Sequence, residues 1–456
     1  MLKIINPATE QLIAEKSTSS LVDVKHAFRL AVQAQRDWGS CNFRQRAQVI
    51  CTFRQLLAGE IDAAACTLSA EMGKPVHQAK SEISAALARV DWFLQHTEDV
   101  MAVRTVYEQG PLCEQISFDP LGVIANISAW NFPYFVGLNV IIPALLTGSG
   151  VLYKPSELTT LTGLTLDRLL QQAGLPVGLF QTLVGGAEVG AYVTQIPVDG
   201  MFFTGSVATG MKISAQLGAR LLVRNMELGG KDPVYVCEDV DLVPVVEALV
   251  DGAFYNAGQS CCSVERIYVH EAIYEDFVVA FVEVASKLQV GDPSDGATYM
   301  GPLARRQQMD LLDAQVEDAV QKKAKIVLHG GPRRGPGYFY APMVLSEVNH
   351  DMAVMREESF GPIVGIQKVA NDDQAVCHMN DTDMGLTAAV YSCEQARAYN
   401  ILQQMSSGSV YWNCCDRVSP HLPWSGRKNS GIGATLSTLG VQAFLRPKAW
   451  HLRVPN

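Results

Sequence analysis

Two adjacent cysteines, Cys261 and Cys262, stand just after a Gly-Gln turn in the run FYNAGQSCCSVERIYV, residues 254–269. A free thiol titrates near about 8.5, so only a few per cent is thiolate at neutral pH, and a nucleophilic cysteine needs an activating environment. Most cysteines in such a chain are small buried hydrophobes. This pair differs by following a polar turn rather than lying inside an apolar run. Glu227, in NMELGG, sits between Met226 and Leu228 on an expected buried strand. Apolar surroundings raise a carboxyl pKa toward the range useful to a general base, while a buried ion pair is the common alternative. In FFTGSVATGMK (202–212), Gly205, Ser206 and Gly210 open a helix after a strand, where backbone amides can meet a phosphate. The run is neither GxGxxG nor a P-loop, because Met211 separates Gly210 from Lys212, and a plain tight turn fits it equally well. In YKPSE (153–157), Glu157 past a strand end can take the two hydroxyls of a ribose beside Lys154, or Pro155-Ser156-Glu157 simply begins a helix.

The elements that must hold these residues follow from periodicity. Three segments between residues 23 and 100 have helical spacing of apolar positions, and Val103 to Phe118 is rich in β-formers, as in a hairpin or arm. From Gly122 short apolar runs alternate with helical ones: GVIANISAW, GVLYKP, QTLVGG, DGMFFTGS and LVRNMELGG are the strands. Five such alternations predict a parallel, doubly wound α/β sheet, whose ligands bind beyond the carboxyl ends of the strands. The positions just after those strands include Asn131, Lys154 to Glu157, Thr204 to Ser206 and Glu227 to Gly230. A second α/β pattern begins after residue 230, and VQAFLRPKAWHLRV near the C-terminus reads as an arm or edge strand. The division expected is a cofactor domain of residues 1–101 and 120–229, a catalytic domain of 230–430, and an arm of 102–119 and 431–456.

With 456 residues, 48% hydrophobic and 18% charged, the chain has ample core material for two or three domains. A net charge of -10 without a basic stripe argues against a nucleic-acid partner. Eleven cysteines, with no CxxC pair and no zinc spacing among Cys and His, favour a reducing compartment and no metal. The N-terminal MLKIINPATEQ lacks a signal-peptide core, and Asn139, Pro143 and three glycines break the most apolar stretch, 136–153. The expectation is a soluble cytoplasmic protein with no membrane partner.

Taken in order, NPATE, WNFP, KPSE, FTGS, MELGGK, GQSC, GDP, MGPL, EESFGP, NDTDMGL and SGIG resemble the landmarks of the aldehyde dehydrogenase superfamily over nearly the whole chain. Cys261 lies 34 residues after Glu227, and Glu358 lies 97 after Cys261, as is typical of that family. The resemblance implies a Rossmann-like cofactor domain, an α/β catalytic domain and a β arm joining a homodimer or homotetramer. It makes Cys261 the nucleophile toward an aldehyde, Asn131 an oxyanion donor and Glu227 the base that hydrolyses the thioester, with Cys262 a neighbour. It assigns Trp130, Lys154, Glu157, Gly205, Ser206, Leu228, Glu358 and Phe360 to a nicotinamide dinucleotide. NAD is favoured over NADP because a carboxylate at 157 repels a 2'-phosphate, although Lys154 nearby can tolerate one.

Relatives acting on succinate semialdehyde usually carry an Arg eight residues after the oxyanion Asn and another six before the Cys; here Asn139 and Tyr255 occupy those places. Phe132, Tyr255 and Trp424 instead resemble the aromatics of the amino- and betaine-aldehyde branch, which suit cation–π attraction. An apolar-aldehyde generalist stands level with that reading, a semialdehyde enzyme comes third, and a CoA-acylating or non-catalytic member lies further off because Glu227 is retained. Three departures stand out: almost nothing precedes NPATE, so the leading hairpin is expected to be absent; Ala434 and Thr435 replace the usual Arg-Glu; and Ser263 follows the cysteine pair.

Overall fold

The computed structural model describes residues 1–455. Val123–Ile127 and Gly150–Lys154, apolar but for Asn126 and Lys154, are buried at every position, as interior parallel strands covered on both faces are. They form the centre of a six-stranded sheet ordered Gly431–Ile432, Val223–Glu227, Gly200–Thr204, Val123–Ile127, Gly150–Lys154 and Phe180–Thr182. Every pair in it is parallel except the edge strand Gly431–Ile432.

A second sheet of seven strands runs Lys325–Leu328, Met343–Ser346, Ile363–Val369, Val264–His270, Asp232–Val236, Thr387–Tyr391 and Ser409–Trp412, with only its first strand antiparallel. The chain passes from Glu227, last residue of its strand in one sheet, to Asp232, first residue of the other sheet, so Glu227 lies at the junction.

Four helices, not three, lead the chain: Leu21–Ser40, Phe43–Gly59, Ile61–Met72 and Val76–Met101. Ser20 with Asp23, and Asn42 with Gln45, close reciprocal capping boxes on the first two. Ile61–Met72 begins straight after the previous helix with no side-chain cap, which leaves little in the sequence to separate it.

Two expectations need correction. Leu2–Ile5 pairs with Leu12–Lys16, so a leading hairpin is present, with NPATEQ as its turn and Glu10 in the left-handed region. The segment 431–444 is not arm: Gly431 and Ile432 join the cofactor sheet, and the helix Ser437–Gln442 buries Val441 in the same core as Phe202. Only Leu445–Arg453 continues into the arm, where it pairs with Leu112–Pro120, itself paired with Arg104–Gln109.

Candidate active site

All fifteen residues singled out above line one cavity of about 1040 Å³ between the two sheets. The nucleophile loop is shaped before the cysteines arrive. Asn256, Ala257 and Gly258 take consecutive left-handed φ values of 52°, 57° and 69°, which costs a non-glycine residue such as Ala257 about 1–2 kcal/mol. A Cβ at Gly258 would stand 2.4 Å from the Gly361 carbonyl, so only glycine fits there. The Asn256 carboxamide donates to the Gln259 carbonyl (3.1 Å) and the Asn131 carbonyl (3.3 Å), tying the turn to the opposite lobe.

The structure separates the two cysteines. Cys261 is partly exposed in the cavity. Cys262 is 4% exposed, packs in the helical-layer core, and its Sγ donates to Asp416 Oδ1 at 2.9 Å. The Cys261 sulfur beside it, burial and the Asp416 carboxylate push the Cys262 thiol well above its ordinary value, which keeps it protonated. Ser263 does not face the chemistry. Its hydroxyl donates to the Gly252 and Ala253 carbonyls (3.1 and 3.3 Å), satisfying the last turn of the helix Leu242–Phe254.

Glu227 is buried where its strand ends, and burial pushes its carboxyl up to about 7 against the Thr435 hydroxyl and the Arg89 charge. No lysine or arginine forms an ion pair with it among the described residues, so the salt-bridge alternative for Glu227 fails. Asn131 is 4% exposed, and its Nδ2 donates to the Gln259 carbonyl at 3.1 Å, beside the nucleophile loop. Its backbone carbonyl accepts from Lys74 Nζ at 2.7 Å. Lys74 forms a fully buried ion pair with Glu82, whose Oε1 accepts from the Tyr134 amide at 2.9 Å. One buried pair thus fixes both ends of the segment 131–134.

The groove on the other side fits a dinucleotide. Ser206 caps the ten-residue helix Val207–Gln216 by accepting from the Thr209 amide (3.3 Å), which leaves the other first-turn amides facing the groove. Lys154 is 4% exposed, with Nζ donating to the Pro155 carbonyl at 3.0 Å and lying 3.7 Å from the half-exposed Glu157 carboxylate. Burial lowers the Lys154 pKa, so a buried cation stands at the groove with one weak counter-charge. Gly229 has no room for a side chain, since a Cβ would meet Glu358 Oε1 at 2.3 Å. Glu358 itself, raised to about 8 by burial, accepts from the Gly230 amide at 3.2 Å. Trp130 and Phe360 meet edge to face at 5.5 Å. Phe360 is held by Glu265, which accepts from the Ser359 and Phe360 amides (2.8 and 2.9 Å) and pairs with the buried Lys231 at 2.6 Å.

The distal pocket holds a feature the sequence reading missed. Arg89, on the helix Val76–Met101, is 6% exposed and lines the cavity with Asn139, Phe135 and Trp424. Its guanidinium donates to Asn139 Oδ1 and the Val418 carbonyl, both at 3.2 Å, and lies 3.8 Å over the Phe135 ring. No carboxylate pairs with it among the described residues, and burial lowers its pKa to about 10. Phe132 likewise carries Lys74 Nζ 3.7 Å over its ring, and stacks parallel to Tyr255 at 6.5 Å. Arg89, Lys74, Glu82, Asn256 and Asp416 all escaped sequence reasoning, and Thr435 was visible there only as a departure from the family pattern. Each reaches the site from a segment whose local pattern is that of an ordinary helix or loop. The one available signal was charge at Glu82 and Arg89 on the otherwise buried face of the helix Val76–Met101, with Lys74 in the loop just before it.

A thiol, a buried carboxyl and a side-chain amide line one cavity that runs into the groove at the helix start, an arrangement suited to an oxidoreductase with a dinucleotide groove. The chain belongs to the aldehyde dehydrogenase family, whose model matches residues 1–450, and it is an NAD(P)+-dependent aldehyde dehydrogenase. It is 35% identical to the 3,6-anhydro-alpha-L-galactose dehydrogenase of Streptomyces coelicolor over 99% of this chain and 93% of the relative. It is 31% identical to the succinate semialdehyde dehydrogenase [NAD(P)+] Sad of Escherichia coli, over 96% and 95%. Among solved structures, the aldehyde dehydrogenase of Brucella melitensis biovar abortus superposes with a TM-score of 0.96 at 30% identity, covering 100% of this chain and 94% of the other.

Proposed function

We propose that this enzyme oxidises an aldehyde whose far end carries a carboxylate or a cluster of oxygen acceptors, with Arg89 receiving that end. The carrying observation is a buried guanidinium in the distal pocket with no carboxylate partner. A buried cation whose compensating charges, Glu227 and Glu82, act on it without forming an ion pair is costly, and an anionic substrate relieves that cost on binding. An ammonium-bearing aldehyde meets the opposite situation: Arg89 repels it, and Lys74 and Arg89 already cover the faces of Phe132 and Phe135. The reading agrees with the semialdehyde- and sugar-oxidising relatives in chemistry, while the guanidinium comes from a helix rather than from position 139 or 255.

In this reading the Cys261 thiolate forms a C–S bond to the aldehyde carbon, and the carbonyl electron pair becomes an oxyanion met by the Asn131 amide. A nicotinamide held in the groove would supply the hydride acceptor, and loss of hydride from that carbon leaves an acyl thioester on Cys261. Glu227 takes a proton from water as the water adds to the thioester; the C–S bond then breaks, and the acid and thiolate separate. Lys154 and Glu157 hold the adenosine ribose, the helix start at Gly205–Ser206 the pyrophosphate, and Glu358 with Phe360 the nicotinamide side.

The test is rapid-mixing kinetics on Glu227→Gln. The reading expects a burst of NADH near one per active site followed by at least a hundredfold slower turnover; undiminished turnover removes Glu227 as the base. The same preparation assayed with a four-carbon semialdehyde and with betaine aldehyde ranks the substrate ends, and faster oxidation of betaine aldehyde overturns the Arg89 assignment.

A further inference from the structure

Thr435 occupies the place of one of the departures noted in the sequence, and its hydroxyl donates to Glu227 Oε1. The hydroxyl has little freedom. The Thr435 amide donates to the Trp424 carbonyl (2.9 Å), its carbonyl accepts from the Trp424 amide (2.8 Å), and the side chain is 2% exposed. The preceding carbonyl, of Ala434, accepts from Asn225 on the strand that carries Glu227 (2.7 Å). Gly431 pairs directly with Glu227 in the sheet. Acid and hydroxyl are therefore presented to each other by paired backbone on both sides. The other carboxylate oxygen, Oε2, has no protein donor among the described residues, and Glu227 lines the cavity.

We propose that Thr435 is the positioning residue of the general base: it engages Oε1 and so leaves Oε2 aimed at the space where the hydrolytic water must stand. This rests on the reading of Glu227 as base. A hydroxyl suits the role because it donates to the ionised carboxylate and can turn its lone pair toward the carboxylic acid after proton uptake, with no change of charge. Burial and the Arg89 charge act on the same carboxyl, and Glu82, Cys261, Cys262, Glu358, Asp416 and Arg417 are among the other titratable groups that line the cavity. Trp424 also lines the substrate pocket, so the paired backbone that fixes the hydroxyl belongs to the wall a substrate touches.

The experiment measures decay of the acyl-enzyme, by rapid quench after a single NADH burst, from pH 5.5 to 9.5 in wild type, Thr435→Ser and Thr435→Val. The expected result is a wild-type-like profile in the serine variant. In the valine variant the acid limb moves upward by about half to one pH unit, a roughly three- to tenfold loss at pH 6.5 that is recovered at pH 9. Burst amplitude and melting temperature report whether each variant is folded and acylates. An unmoved limb in Thr435→Val, or a rate lowered equally at every pH, overturns the proposal. Glu227→Gln run alongside separates the two ideas: if it decays like wild type, the general-base reading fails, whatever Thr435 does.

Discussion

Arg89→Met is the most informative single change, because it removes the charge and all five donors while keeping an unbranched side chain. Burial lowers the Arg89 pKa to about 10, so the buried cation stands roughly 3 kcal/mol out of balance with its solvated state. A substrate carboxylate restores that balance and makes charge-assisted hydrogen bonds, and losing one partner of such a buried pair costs about 2–4 kcal/mol. At about 1.36 kcal/mol per tenfold, kcat/KM for a four-carbon semialdehyde falls by about 30- to 1000-fold. Butanal, of the same chain length without the carboxylate, changes less than about threefold. The assay is NADH formation at pH 8.5, above the value of about 7 for Glu227, so that losing the Arg89 charge does not register through the base. The variant is expected to melt within a few degrees of wild type. It loses bonds to Asn139 and Val418, each worth about 1 kcal/mol, but also sheds an unpaired buried charge. An equal fall for both aldehydes, or no fall for the semialdehyde, refutes the anion-receiving role.

Four further outcomes are expected. Cys261→Ala abolishes the NADH burst, whereas Cys262→Ala keeps at least a tenth of wild-type kcat and loses some thermal stability, since Cys262 is a buried thiol bonded to Asp416; activity surviving only in the first variant reverses the assignment. Thioester hydrolysis in wild type rises with pH through about 7 and then levels, because Glu227 works ionised and burial raises its pKa; a flat stopped-flow profile between pH 5.5 and 8 contradicts this. Glu157→Gln raises kcat/KM for NADP relative to NAD by about tenfold or more, since one carboxylate facing a 2'-phosphate is removed while Lys154 stays. Light scattering gives a dimer or tetramer, because the arm sheet exposes Val106, Tyr107, Trp450 and Leu452 and leaves two unpaired edges; a monomer at micromolar concentration contradicts it.

Much of the architecture was legible in the sequence because burial on both faces writes itself as unbroken apolar runs, as in GVLYKP at Gly150–Lys154, and because each run ends where a ligand must bind. The cysteine pair, Glu227, Asn131 and the groove residues were found for the same reason: they follow strand ends or polar turns. The helix Ile61–Met72 was not legible, for it lacks a cap and joins its neighbour directly. The placement of residues 431–444 was not legible either, since a two-residue antiparallel strand carries no periodicity of its own.

What the sequence by itself determined is the order of elements and the candidate reacting groups, because both depend on local pattern and residue type. The tertiary structure alone decided their environment. It set Cys262 against Asp416 as a protonated packing thiol, brought Thr435 across 208 positions to Glu227, and left the Arg89 guanidinium in the distal pocket without a counter-ion. Charge, burial and hydrogen-bond partner are properties of what packs alongside a residue, and packing between distant segments leaves no periodic trace in a single chain.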